Sequence, residues 1–216
     1  MHPIIITGIG TDVGKTIVAA IVAEALEADY WKPVQAGYHS GTDNEWVKRL
    51  ISNSNTKVHP ETYKLSLAAS PHISAREEGN MIDLNLILDD FYKFRNLNNN
   101  GIIIEGAGGL MVPLNENEFV IDLVKKMQAK VVLVSRNYLG SINHSLLTAS
   151  VCKSNNITVV GWIFNDQYMH YEDEIVRWTG IPRIASIPFL NDIGKETISQ
   201  QALSIRASLK KLLTDS

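Results

Sequence analysis

Gly8, Gly10, Gly14, Lys15 and Thr16 crowd one short stretch, entered by the run Ile4-Ile5-Ile6-Thr7 and followed by the apolar series from Ile17 to Ala23. A β-branched run, a glycine-rich turn and an apolar helix in that order make a cradle for nucleotide phosphates. The backbone N–H groups of the turn, added to the unpaired N–H groups and dipole at the helix start, attract a polyphosphate. In such a turn Lys15 reaches the terminal phosphates and Thr16 offers its hydroxyl to magnesium. The spacing is a variant: five residues, not four, separate Gly8 from Gly14, and Ile9 stands where a glycine is expected.

Other residues of reactive type sit where apolar runs end. Glu105 follows Ile102-Ile103-Ile104 and precedes Gly106-Ala107-Gly108-Gly109. Burying a lone carboxylate costs on the order of several kcal/mol, so Glu105 requires a partner, either magnesium or a structural lysine. The glycines after it let the backbone approach a phosphate closely. Lys32 precedes Pro33, which keeps it in extended or turning backbone. It either stabilises phosphate charge or stands solvated at a strand end.

Thr42 or Asp43 is placed to cap a helix running to Leu50, and position alone favours capping as the role of Asp43. Ser70-Pro71-His72 starts a short helix with proline in its first turn. His72 is then either catalytic or a histidine hydrogen-bonded near the helix start. Gly140-Ser141-Ile142-Asn143-His144 opens another helix, as an anion site or as a simple capped turn.

The elements that must position these residues alternate along the chain. Strands are expected at 4–7, 30–33, 101–105, 130–135, 158–164 and 183–187, with helical segments between them. That alternation predicts an α/β fold with a mostly parallel central sheet flanked by helices on both faces. The continuous apolar run Val131-Val132-Leu133-Val134 suits a strand covered on both sides. Ligands of such sheets bind beyond the carboxyl ends of the strands, so three strand ends bring a phosphate cradle, an ammonium and a carboxylate to one edge.

The helix from Lys15 to about Glu27 is apolar nearly all round and should be buried. The last helix carries a single stripe of Ile198, Ala202, Ile205, Leu209 and Leu212. Polar turn clusters at 37–41 and 96–101 are too short for domain linkers, and residues 1–216 read as one domain.

A composition of 45% hydrophobic and 20% charged residues excludes extended disorder. The net charge of -3 and pI near 6.1 exclude a general attraction to nucleic acid or to an anionic membrane. Cys152 is the only cysteine, so no internal disulfide forms; its apolar helical neighbours make it a buried, inert thiol. Met1-His2-Pro3 leads directly into a strand without an export signal, and the apolar run from Ile17 to Ala23 is far short of a bilayer span. A cytoplasmic location is expected.

Taken together, the segments Thr7-Gly8, Thr11-Asp12-Val13-Gly14-Lys15-Thr16, Lys32-Pro33-Val34, Ser70-Pro71-His72, Glu105-Gly106-Ala107-Gly108-Gly109, Gly140-Ser141-Ile142-Asn143-His144, Gly161-Trp162, Asn165-Asp166 and Ile187-Pro188 closely resemble the dethiobiotin synthetases. The resemblance runs from the first strand to about residue 190 and includes the five-residue loop spacing. It implies a P-loop NTPase-like fold and an ATP-dependent ring closure in biotin synthesis. In that reaction 7,8-diaminononanoate, carbon dioxide and ATP give dethiobiotin, ADP and phosphate, by way of a carbamate and a carbamic-phosphoric anhydride.

Residue by residue, the resemblance implies that Lys15 and Lys32 flank the carbamate and the transferred phosphate, with Thr11 touching phosphate or carbamate and Asp12 near the substrate amines. Thr16, Asp43 and Glu105 would hold magnesium. The loop residues Asp12, Val13, Gly14, Lys15, Thr16 and Ile17, with Gly106, Ala107 and Gly108, would bind the nucleotide. Asn165, Asp166 and Pro188-Phe189-Leu190 would surround the adenine. Ala36, which stands where many relatives carry Ser or Thr, would face the substrate. Gly140, Ser141, Ile142 and Asn143 would hold the substrate's carboxylate tail across a homodimer interface.

Two other readings share related loops. A partitioning or cell-division type ATPase switch normally carries an extra lysine early in the loop, where this chain has Ile9-Gly10. A cobalamin-pathway amidoligase needs a glutaminase portion, for which this chain has neither the length nor a suitable cysteine.

Overall fold

The computed structural model describes residues 2–97, 101–166 and 169–215. In chain order the elements are β1 (Ile4–Gly8), α1 (Lys15–Leu26), β2 (Asp29–Trp31), β3 (Val34–Ala36), α2 (Asp43–Leu50), β4 (Val58–His59), β5 (Tyr63–Leu65), α3 (Pro71–Glu77), α4 (Leu84–Leu97), β6 (Ile102–Glu105), α5 (Val120–Lys126), β7 (Lys130–Arg136), α6 (Ser141–Ser154), β8 (Val159–Asn165), α7 (Glu172–Thr179), β9 (Arg183–Ile187) and α8 (Lys195–Asp215).

Seven of the strands form one sheet in the order β4-β2-β6-β1-β7-β8-β9, and every pairing in it is parallel. The alternating side chains of β1 divide the core. Ile4 and Ile6 face a cluster built with α1 and α8, whereas Ile5 faces a second cluster with Phe91 of α4, Val124 of α5 and Trp162. Helices therefore cover both faces, as the unbroken apolar strands require. From Val18 to Ala25 α1 is buried throughout, and α8 buries Ile198, Ala202, Ile205 and Leu209, with Leu212 partly covered.

Elsewhere the expected boundaries move. β1 continues to Gly8 and β7 to Arg136, while β8 starts and ends one residue later than expected. The strand expected at 30–33 ends at Trp31, because Pro33 cannot donate to a ladder. Instead the Pro33 carbonyl accepts from Thr62 N at 3.0 Å and Tyr63 N at 2.9 Å, and the chain enters β3, which pairs with β5 in a separate two-stranded parallel sheet. Strands of two or three residues such as β4 and β5 leave no periodicity for a sequence reading to detect. Of the polar cluster at 96–101, Asn98, Asn99 and Asn100 lie outside the described residues.

A buried carboxylate ties two parts of the frame together. Glu24 near the end of α1 accepts hydrogen bonds from Ser52 N at 3.0 Å, from the Ser52 hydroxyl, and from Asn53 Nδ2 at 2.8 Å, tying the segment after α2 to α1. These bonds outweigh the opposing effect of burial and hold its carboxyl below the ordinary value. Cys152 is buried in α6, and burial pushes its thiol up to about 12. Among the described residues, no helix is long and apolar enough to cross a membrane.

Candidate functional site

A cleft of about 840 Å³ opens at the carboxyl ends of β1, β2 and β6, lined by Thr11, Lys15, Thr16, Lys32, Asp43 and Glu105 among others. It lies where an open parallel sheet is expected to bind its ligands. Its floor is the turn between β1 and α1. Gly14 heads α1 in left-handed backbone and supplies no side-chain cap, so the N–H groups of the first turn are left for a ligand. Val13 is buried beneath the turn, and the exposed Asp12 is also left-handed, with φ 56°.

Two close approaches explain the glycines. A Cβ on Gly8 would fall 2.5 Å from Val13 Cγ2, and Gly8 N donates to Gly108 O at 3.3 Å, which joins the turn to the segment after β6. A Cβ on Gly14 would fall 2.3 Å from Asn165 Nδ2, whose amide donates to Val13 O at 2.6 Å. Asn165, at the end of β8, thus braces the turn from below.

The charges converge on one point. Lys32 Nζ donates to Asp43 Oδ2 and, at 3.2 Å, to Glu105 Oε1. The Thr16 hydroxyl lies 3.1 Å from Asp43 Oδ1 and 2.9 Å from Glu105 Oε1. Glu105 is 1% exposed and Lys32 7%. Burial alone would lower the Lys32 ammonium, but Glu105 and Asp43 outweigh it and hold Lys32 above its ordinary value. Lys15 differs: burial pushes it below its ordinary value despite Glu105, and its Nζ folds back on Gly10 O at 2.7 Å. One lysine is therefore clamped in a carboxylate pair and the other is held by the turn.

Capping is resolved against the positional expectation for Asp43. Thr42 is the cap: its Oγ1 accepts from Glu45 N at 3.2 Å while Glu45 Oε2 accepts from Thr42 N at 3.3 Å, a reciprocal capping box. Asp43 becomes the first residue of α2, and its carboxylate is left to meet Lys32 and Thr16. Nor does Lys32 stand solvated.

Two residues of this cluster carry no motif signal. The Tyr30 hydroxyl donates to Glu105 Oε2 at 2.7 Å from a fully buried ring. Burial and the neighbouring Glu105 push its phenol well above the ordinary value, so it remains a donor. Gln35 of β3 accepts from Asp43 N at 3.2 Å and donates to Gly37 O at 2.7 Å, fixing the start of α2 against β3. A buried tyrosine needs a partner for its hydroxyl. That rule could have marked Tyr30, though not the partner it finds.

Of the remaining expected residues, Ile17, Ala36, Ala107 and Gly108 line the cleft, while Gly106 sits behind it against Val120 and Ile6 O. Ser70 and Pro71 line it too, and Ser70 Oγ lies 3.1 Å from His72 Nδ1 at the start of α3. Asp166 follows β8 and meets Arg136 at 3.3 Å, and its N–H donates to Ile187 O. Pro188 and Phe189 are exposed beyond β9, with Leu190 half-buried against the core. Gly140, Ser141, Ile142 and Asn143 are outside the cleft lining, at the start of α6. There the Ser141 hydroxyl is held by Tyr171 OH at 2.6 Å and by Tyr138 N at 3.3 Å.

Over 206 residues the chain is 43% identical to the ATP-dependent dethiobiotin synthetase BioD of Cytophaga hutchinsonii, covering 95% of this chain and 97% of that one. The chain belongs to the dethiobiotin synthetase family. The synthetase of the same name from Christiangramia forsetii is 42% identical over 87% of this chain and 89% of its own. A family model described as an AAA domain matches residues 2–197. In three dimensions the chain is similar to the MinD cell division protein of Aquifex aeolicus, with a TM-score of 0.63 at 15% identity, covering 100% of this chain and 98% of that chain. It is also similar to a ParA family ATPase from Chlorobium tepidum, with a TM-score of 0.57 at 14% identity, covering 98% and 93% of the two chains. At such identities the likeness concerns the fold alone, a parallel sheet flanked by helices on both faces.

Proposed function

We propose that this enzyme, an ATP-dependent ligase of the dethiobiotin synthetase family, closes the ureido ring of dethiobiotin from 7,8-diaminononanoate, carbon dioxide and ATP. The single observation that carries the reading is the meeting of Lys32, Thr16, Asp43 and Glu105 beside the phosphate turn. A carbamate oxygen is a poor leaving group until it is phosphorylated, and phosphoryl transfer asks an enzyme chiefly for positioning and charge neutralisation. The turn and the start of α1 hold the phosphate tail, and Lys15 leaves Gly10 O to reach its terminal groups. Lys32 steadies the charge that passes between nucleotide and carbamate. Thr11 and Asp12 border the same space, and Ala36 and Gln35 form the wall where the diamine lies.

Magnesium fits the donor set. Two carboxylates already meet at one cation, the Lys32 ammonium, the Thr16 hydroxyl bonds to both of them, and magnesium is commonly held by one or two carboxylates together with substrate phosphates. Thr16, Asp43 and Glu105 would be its ligands. Bound there, it would neutralise charge on the transferring phosphate.

The adenine is assigned to Asn165, Asp166 and the 188–190 segment, which meet at the ends of β8 and β9. Gly140 to Asn143 would receive the substrate's carboxylate tail from a second copy of the chain; their separation from the cleft and the 93% exposure of Leu139 support an intersubunit role. Residues 1–216 form one domain, two copies of which act together in the cytoplasm.

The test is ATP turnover with and without the diamine and bicarbonate, with the product identified by liquid chromatography. Turnover that requires both, with dethiobiotin formed, is expected. ATP hydrolysis indifferent to the diamine would overturn the reading in favour of a nucleotide switch.

A further inference from the structure

The two oxygens of Glu105 have different surroundings. Oε1 faces the cleft, where it accepts from Thr16 at 2.9 Å and from Lys32 at 3.2 Å. Oε2 is turned toward the core and accepts from the hydroxyl of Tyr30 at 2.7 Å. The sheet register accounts for this pairing. Tyr30 lies opposite Ile103 across β2 and β6, so Tyr30, Ile103 and Glu105 project from the same face, the one covered by α1. The Tyr30 ring has no exposed surface, which leaves its hydroxyl little freedom to seek another acceptor.

We infer that Tyr30 is a positioning residue that sets the metal preference of the site: by holding Oε2 it leaves Glu105 a single oxygen to offer a cation. The inference rests on the assignment of Thr16, Asp43 and Glu105 as ligands. Magnesium demands a near-octahedral shell and accepts carboxylates through one oxygen, whereas calcium takes more ligands and readily binds a carboxylate through both. A glutamate pinned at one oxygen suits the smaller ion. With the tyrosine hydroxyl removed, Oε2 is free to join Oε1, and the site relaxes toward the larger one. Partners that orient a ligand in this way commonly change metal affinity by about 10- to 100-fold when lost.

The experiment follows manganese, bound to the full chain in the presence of ADP, by electron paramagnetic resonance while magnesium or calcium displaces it. The wild-type chain should release manganese at lower magnesium than calcium. In Tyr30→Phe the ratio of the two displacing concentrations should move about ten-fold toward calcium. A purely structural role for Tyr30 would lower the melting temperature without moving that ratio, and an unchanged ratio in a cooperatively folding Tyr30→Phe overturns the inference.

Should the variant not fold, the wild-type measurement still decides: calcium displacing manganese at equal or lower concentration than magnesium overturns it. Glu105→Gln separates the two levels of the argument. Loss of manganese in that variant upholds the ligand assignment, so that a null Tyr30→Phe result counts against Tyr30 alone. Wild-type manganese binding in Glu105→Gln removes the ligand assignment and the role of Tyr30 with it.

Discussion

Thr16 and Glu105 stand 89 positions apart in the chain and are joined by a 2.9 Å hydrogen bond from the threonine hydroxyl to Oε1. The contact links the first turn of α1 to the end of β6, two elements on which the site depends. Asp43 closes the group from α2, and Lys32 lies between the two carboxylates. Each of the following outcomes depends on that arrangement or on the frame that holds it.

Lys32→Ala removes the cation that separates Asp43 from Glu105. Breaking a buried pair costs roughly 3 to 5 kcal/mol, and the partial exposure of Asp43 puts this case at the lower end. Denaturant melts should therefore show the variant less stable without ligand, with part of the loss recovered in magnesium and ADP. Calorimetry should still detect nucleotide binding while product formation falls by about 100-fold or more. Unchanged turnover would take Lys32 out of the chemistry.

Gly14→Ala places a Cβ at φ 86° and 2.3 Å from Asn165 Nδ2. The backbone strain alone costs about 1 to 2 kcal/mol, and the displaced amide releases Val13 O. ADP affinity measured by calorimetry should fall at least ~10-fold, more than the change in stability alone would give. Adding Asn165→Ala, which makes room, should recover little of the affinity because the brace is then absent.

Thr42 and Asp43 are neighbours with separate tasks. Thr42→Ala should cost about 1 kcal/mol in chemical denaturation, the usual loss for a helix cap, and leave the magnesium requirement of turnover nearly unchanged. Asp43→Asn should do the reverse, raising the magnesium concentration needed for half-maximal rate. Equal effects of the two substitutions on the metal requirement would contradict the division.

Glu24 links acidity to stability. Its carboxyl lies below the ordinary 4.5 because the bonds from Ser52 and Asn53 outweigh burial, which acts in the opposite direction. A carboxylate depressed in the folded state contributes stability that is present above its unfolded value and lost as the pH falls through its folded one. The wild-type chain should thus lose stability as the pH drops below about 4.5, and Glu24→Gln should lose less over that range while being weaker at pH 7. Parallel pH profiles for the two proteins would dismiss the linkage.

Cys152 should resist thiol reagents in the native state, because burial pushes its thiol up to about 12 and the core cluster around Trp162 and Phe164 covers it. The thiolate is the reacting form, so modification should track global unfolding in denaturant, which exposes the thiol and returns it to its ordinary range. Rapid modification of the native chain would refute this.

Much of the site could be read from local signals. The Gly-Lys-Thr turn, Lys32 before Pro33 and Glu105 after three isoleucines each announce themselves within a few residues of chain. The parallel sheet followed from unbroken apolar strands alternating with helices. What escaped depends on distant register. Tyr30 meets Glu105 across 75 positions and Asn165 meets Val13 across 152, and neither pairing can be found without knowing that β2 lies beside β6 or that β8 ends under the turn. β3 and β5 escaped for another reason, since three residues carry too little pattern. The cap at Thr42 was ambiguous because threonine and aspartate do that task nearly equally well, and the side-chain geometry decides between them.

Pro33 takes the chain out of the main sheet, so β3 reaches the cleft without sharing a backbone ladder with the strands that carry the phosphate turn and Glu105. Val34 and Ala36 of this wall can therefore be exchanged without touching the phosphate turn, whereas Gln35, which accepts from Asp43 N, ties the wall to the charged group behind it.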